Sequence, residues 1–249
     1  VPIERFTYRA AGINHLTWFT DMKIDGKDVY PKLHDKLKES GFDKKEPISK
    51  QLYDIYGLYP APGDRHVGEF FPYYMKEEVL MEQDYEWKNN DFKVVDGWRE
   101  EARVLFDEVR TKKEGYEEFL KGSGETATYF IRSLATGDIS DEMVNVINNG
   151  YIDNVSSGII VELPTYIDEF GLHPQKIGKL PDAIAAQCDR LGREYLLMVE
   201  AAATCNYELA RQAMFLDPLV SNCKYPELLL KDLIRANLDL LPEAWEKHC

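Results

Sequence analysis

The sequence predicts an α+β fold, and three observations carry that prediction. β-type alternation opens the chain and returns between Met143 and Ile167. Helical patterns recur between them as far as about Gly122 and cover the chain after Pro181. No Gly-x-Gly-x-x-Gly turn follows any strand-like run, so a nucleotide cofactor would be held mainly by something outside this chain.

The first alternating run places Phe6, Tyr8 and Ala10 on one face and ends at the turn-like Gly12. Leu16, Trp18, Thr20 and Met22 alternate in turn as far as Asp25-Gly26, a dipeptide that signals a hairpin. Pro31 opens a charged helix that Gly41 ends, and Pro47 to Tyr59 is a second short helix rich in aromatics. The two prolines and the glycine of Tyr59-Pro60-Ala61-Pro62-Gly63-Asp64-Arg65-His66 predict a loop without regular structure. A highly charged helical excursion is expected over about 76–122, within one domain spanning 1–249. Met143–Ile147 and Gly158–Leu163 are β-branched runs separated by turn residues. Amphipathic helices are expected over Ile184–Thr204, Tyr207–Leu216 (stopped by Asp217-Pro218) and Tyr225–Leu241.

Composition removes several classes of function. Hydrophobic residues make up 44% and charged residues 30% of 249 residues, an ordinary globular balance. The formal charge of −14 repels phosphate backbones and anionic lipid heads, so neither nucleic acid nor membrane is expected as a partner. No apolar run could span a bilayer, and no signal-like segment opens the chain. The four cysteines are irregularly spaced without Cys-x-x-Cys, which fits free thiols in a reducing cytoplasm. The chain does not begin with methionine and is expected to be a fragment or a processed product.

Three stretches hold residues able to do chemistry. In Gly12-Ile13-Asn14-His15 a turn sets an amide beside an imidazole, a common ligand for divalent metals. In Gly63-Asp64-Arg65-His66-Val67-Gly68-Glu69 four ionisable groups share a loop, where charges shift one another's pKa. The aromatics that follow, Phe70, Phe71, Tyr73 and Tyr74, suggest a buried or ligand-facing surface. In Asn148-Asn149-Gly150 the asparagines suit a turn, and Asn149 is the one kept as a hydroxyl binder. A lone histidine is more often structural, and a charged loop is often merely solvated.

Together these stretches resemble the glycoside hydrolases of family 4. The resemblance rests on Arg9-Ala10-Ala11-Gly12-Ile13-Asn14-His15-Leu16, Gly63-Asp64-Arg65-His66 leading to Glu69-Phe70-Phe71-Pro72, and Asn145-Val146-Ile147-Asn148-Asn149-Gly150 with Val161-Glu162-Leu163-Pro164. It continues through Glu208-Leu209-Ala210 and Leu216-Asp217-Pro218-Leu219-Val220. It implies the C-terminal half of an NAD- and metal-dependent α-glycosidase, like the C-terminal domain of lactate and malate dehydrogenases. A mixed or antiparallel sheet would pack with long helices, and the N-terminal Rossmann half would be a missing partner. The implied reaction is NAD-assisted oxidation at C3 of the sugar, proton removal at C2, elimination of the aglycone, addition of water and return of the hydride. A divalent metal, commonly Mn²⁺, would stabilise the enediolate.

By this resemblance His15 aligns with the metal-binding histidine, and a cysteine ligand would lie upstream of this chain. Asp64 falls where the family places its C2 base. Asn14, Arg65, His66, Glu69 and Asn149 become candidate sugar contacts, and no residue is assigned to the cofactor. Phospho-sugar members tend to carry a tyrosine-containing segment and a phosphate-binding arginine in the loop that here reads Gly-Asp-Arg-His. An unphosphorylated α-galactoside, α-glucoside or α-uronide is therefore favoured, with Arg65 able to pair with a uronate carboxylate. A cytoplasmic homo-oligomer is expected, and the chain alone is expected to be inactive. Two other functions compete: a non-catalytic binding or oligomerisation module, and a malate-type NAD-dependent dehydrogenase.

Overall fold

The computed structural model describes residues 2–39, 46–75, 92–112 and 126–248. The chain divides into two units. The first combines Val1–Lys76, Asp141–Tyr166 and Leu172–Cys249; the second combines Glu77–Ser140 with Ile167–Gly171.

The first unit is built on a hairpin. Strands β1 (Phe6–Ile13) and β2 (Leu16–Ile24) run antiparallel, with Ile13 opposite Leu16, so Asn14 and His15 form a two-residue turn. Such turns favour positive φ, and His15 adopts φ 63°. A bulge between Arg9 and Ala10 shifts the register. Asp25-Gly26 then turns β2 into the short β3 (Lys27–Asp28), as the dipeptide predicted.

Strands β4 (Ser140–Ile147), β5 (Ile160–Asp168) and β6 (Gly171–Pro174) complete a six-stranded sheet in the order β3-β2-β1-β5-β4, with β6 paired to β5. β1 is antiparallel to β5 as well as to β2. β5 continues past the expected Leu163, because alternate residues Val161, Leu163, Thr165 and Ile167 are buried.

Helices α1 (Tyr30–Glu39) and α2 (Pro47–Tyr56) follow the hairpin. Pro47 occupies the first turn of α2, and left-handed Gly57 ends it. Of the segment expected to be an irregular loop, residues 59–63 are neither helix nor strand, but the rest winds into one helical turn, α3 (Asp64–Val67), followed by a 3₁₀ turn over Gly68–Phe70. The prolines lie before this turn and leave its own N–H groups free to bond: His66 N donates to Gly63 O at 3.0 Å.

In the second unit, α4 (Phe92–Lys112) is the described part of the charged excursion. It carries surface ion pairs along one face, including Arg103 to Glu100 and Asp107. Helix α5 (Ala127–Thr136), which periodicity did not single out, ends at left-handed Gly137. The remainder of 76–122 lies outside the described residues.

The C-terminal helices of the first unit are α6 (Asp182–Thr204), α7 (Tyr207–Leu216) and α8 (Pro226–Ala236). α6 packs on β1 and buries Ile184, Ala185, Cys188 and Leu191. Asn206 caps α7 by accepting the N–H groups of Glu208 and Leu209. α8 ends earlier than Leu241 because the Asn237 side chain donates to Leu233 O at 2.8 Å and occupies a terminal carbonyl. Leu230, Ile234 and Trp245 form a separate apolar cluster there. Among the described residues no helix is long and apolar enough to cross a membrane.

Candidate active site

Backbone pairing brings the second candidate stretch to the first. Pro60 bridges to Trp18, Phe19 N donates to Tyr59 O at 2.9 Å, and Ala61 N donates to Thr17 O at 2.9 Å. The segment before α3 thus runs along β2 towards the Asn14–His15 turn. The result is direct: the rings of His15 and His66 lie with centroids 4.5 Å apart and planes 43° apart.

A set of buried polar bonds anchors α3. Asp64 as a residue is 8% exposed. Its Oδ2 accepts Ile48 N at 2.8 Å and its Oδ1 accepts Ser49 N at 2.7 Å. Those are orphan donors of the first turn of α2, whose own N-cap residue, Glu46, makes no side-chain cap. Glu46 instead accepts Asp64 N through Oε2 at 2.8 Å. Burial pushes the Glu46 carboxyl above its ordinary value. Asp64 therefore clamps two helices together, and each of its oxygens carries one backbone N–H.

The first stretch is tied to the sheet by a residue not singled out as a candidate from sequence. Gly12 lies opposite Glu162 of β5, and Asn14 Nδ2 donates to Glu162 Oε1 at 3.3 Å. Burial raises the Glu162 carboxyl, while neighbouring His15 and the Asn14 bond work in the opposite direction. The sequence shows only an acid within the β-branched run Gly158–Leu163; its place in the site depends on the neighbouring strand. Gly12 is required here, since a β-carbon would meet Leu16 O at 2.2 Å and φ is +155°.

The structure thus brings His15, Asn14, His66 and Glu162 together at one end of the hairpin. Glu69 is half-buried on the 3₁₀ turn that follows α3. The Arg65 side chain lies outside the described residues. Asn149 is exposed on the turn after β4, while its neighbour Asn148 is fully buried. Asn148 Nδ2 donates to the carbonyls of Ile152 and Val155, and its Oδ1 accepts Ile152 N. Turn formation accounts for Asn148. The aromatics after α3 divide: Phe71 and Tyr74 are buried, and Tyr74 Oη donates to Gln51 at 2.7 Å. Phe70 and Tyr73 line an open cavity of about 330 Å³ with Gln187 and Arg190.

As a metal centre, the described residues supply a partial set. His15 and His66 offer two imidazoles, but no group of three His, Cys, Asp or Glu side chains is arranged to hold an ion among the described residues. Cys188 is free, buried, and its thiol is pushed up to about 12, which suits packing rather than ligation.

The described site is thus an α+β unit that gathers imidazole, amide and carboxylate groups at a hairpin turn. Residues 10–220 match the family 4 glycosyl hydrolase C-terminal domain, and the chain belongs to that family. It is 30% identical to an alpha-galactosidase of Bacillus subtilis, covering 94% of this chain and 55% of that protein. It is 31% identical to an alpha-galacturonidase of Thermoanaerobacterium saccharolyticum, covering 99% and 56%. A solved 6-phospho-alpha-glucosidase from gut microorganisms, in complex with NAD and glucose-6-phosphate, superposes with a TM-score of 0.77 at 25% identity, over 97% of this chain and 56% of that one. The chain spans about half the length of the curated relatives it matches.

Proposed function

We propose that this chain forms the sugar- and metal-binding half of an NAD-dependent α-glycosidase acting on an unphosphorylated α-galactoside or α-galacturonide. The observation that carries the proposal is the meeting of the His15 turn with α3, rings 4.5 Å apart, in a family 4 domain. When bound, NAD⁺ supplies the hydride acceptor and a divalent cation, commonly Mn²⁺, supplies Lewis-acid stabilisation of a developing oxyanion.

Each residue then has a role of its own. His15, exposed and held at positive φ, presents its imidazole as a metal ligand. Asn14, beside it, contacts a sugar hydroxyl. Asp64 takes the C2 proton: two N–H donors fix its orientation, and a carboxylate has lone pairs beyond the two they occupy. His66 and Glu69 make sugar contacts, with Arg65 and Asn149 as further candidates. The free-sugar preference draws support from the two relatives named an alpha-galactosidase and an alpha-galacturonidase. The glucose-6-phosphate complex of the 6-phospho-alpha-glucosidase is the case against which that preference is tested. Cytoplasmic location and homo-oligomerisation belong to the same proposal.

The test is turnover by the full-length protein of nitrophenyl α-galactoside, α-galacturonide and 6-phospho-α-glucoside, with and without NAD⁺ and Mn²⁺. Free galactosides or galacturonides should turn over only with both additions, and His15→Ala should remove activity together with the Mn²⁺ requirement. Turnover confined to the phosphorylated substrate overturns the substrate assignment. Activity retained in His15→Ala overturns the ligand. This chain alone should show no turnover.

A further inference from the structure

Glu162 is the acid for which the proposed chemistry has no use, although it lies within the site. It stands opposite Gly12 across the β1–β5 pairing. Asn14 lies two residues beyond Gly12, at the first position of the hairpin turn. Because Gly12 has no side chain, the Glu162 carboxylate can pass over it to Asn14, and the bond from Asn14 Nδ2 to Oε1 at 3.3 Å records that reach. The next residue is His15, left-handed at φ 63° as the second position of the hairpin turn. His15 is also close enough to act electrostatically on the Glu162 carboxyl.

We infer that Glu162 is a positioning residue: by accepting the Asn14 amide it sets the Asn14–His15 turn so that the His15 imidazole is held against His66. The inference rests on the proposal that His15 binds the metal, and it adds a partner one residue removed from that ligand. Metal-binding histidines are routinely oriented by such outer acceptors. The bond needs an acceptor oxygen, not a charge, so glutamine can replace glutamate while alanine cannot.

The experiment uses this chain with Mn²⁺ as the probe, followed by calorimetric titration, and ¹³C-histidine NMR of the metal-free chain to observe the His15–His66 ring contact. Glu162→Ala should weaken Mn²⁺ binding by about ten- to hundred-fold and abolish the ring contact, whereas Glu162→Gln should hold both within about threefold of the parent. Asn14→Ala should reproduce the alanine effect, and the double variant should add little to it. A purely structural role for Glu162 would lower the urea midpoint without this pattern of loss and rescue. If Glu162→Ala keeps the ring contact, positioning is overturned, and equal losses in Glu162→Gln and Glu162→Ala overturn the hydrogen-bond account. If the parent chain binds no Mn²⁺ but loses its ring contact in Glu162→Ala and keeps it in Glu162→Gln, the positioning inference stands and the metal assignment falls. Should Glu162→Ala fail to fold, the Glu162→Gln and Asn14→Ala pair decides by the same criteria.

Discussion

Gly192 of α6 lies directly against Ile159: a β-carbon on Gly192 would sit 2.1 Å from Ile159 Cγ2 and 2.9 Å from its Cδ1. Ile159 is 1% exposed, so its side chain has nowhere to withdraw. Two effects oppose each other in Gly192→Ala. Helix propensity favours alanine by up to about 1 kcal/mol, and overpacking of a full core costs about 1–3 kcal/mol. The overlap with a buried branched side chain decides the sign. Gly192→Ala should lower stability by about 1–2 kcal/mol net, read from urea unfolding of this chain. A gain in stability would show that Ile159 has room to move.

Gly12 is constrained more severely, because the obstructing atom is backbone. A β-carbon there meets Leu16 O at 2.2 Å, and φ of +155° is strained for any L side chain. Gly12→Ala should cost at least about 2 kcal/mol. It should also disturb the adjacent His15 turn, so the His15–His66 ring contact should be lost in whatever folded protein remains. An alanine variant of parental stability would mean that the hairpin turn is looser than this geometry requires.

Asp64 is expected to contribute to stability whatever its part in chemistry. Removing it leaves the Ile48 and Ser49 N–H groups without their buried acceptor. Asp64→Ala should cost about 2–4 kcal/mol, and Asp64→Asn, which retains one oxygen, about 1 kcal/mol. Asp64→Asn also separates the two roles. In the full-length enzyme it should fold and lose turnover if the carboxylate is the base. Retained turnover would leave Asp64 with the helix clamp alone.

These residues show what the sequence could and could not reveal. The hairpin was legible because alternation and the Asp25-Gly26 turn are local properties. The end of α7 was legible for the same reason: Asp217-Pro218 is a strong stop. His15 and the 64–69 segment could be marked as sites, but their meeting depends on Pro60 and Ala61 pairing with β2, which no periodicity encodes. The dual engagement of Asp64 stayed hidden, since its partners are backbone N–H groups fifteen and sixteen positions earlier. Glu162 was hidden in a different way. An acid in a β-branched run looks like a solvent-facing position until the neighbouring strand is known. α3 was missed because two prolines suggested irregular backbone through His66, whereas their influence ends before Asp64.

Glu194 gives the clearest dependence on pH. It is 3% exposed on α6, and its Oε2 has no hydrogen-bond partner among the described residues. It lines an apolar cavity of about 250 Å³ with Ala201, Ala213, Met214 and Leu230. Burial, then the neighbouring Asp217 charge, raises its carboxyl to about 7, with Arg190 pulling weakly the other way. The folded pKa therefore lies above the ordinary 4.5. The unfolded chain gives up this proton first, so the folded state is favoured while the carboxyl is neutral. That advantage is complete below about pH 4.5 and fades as pH rises through about 7. Glu194→Gln keeps a neutral group of the same shape at every pH. Relative to the parent, the variant should gain about 1–3 kcal/mol between pH 5 and pH 8, measured by urea unfolding across that range. Parallel stability curves for the two proteins would mean that Glu194 ionises as it does in water, with solvent reaching its buried oxygen.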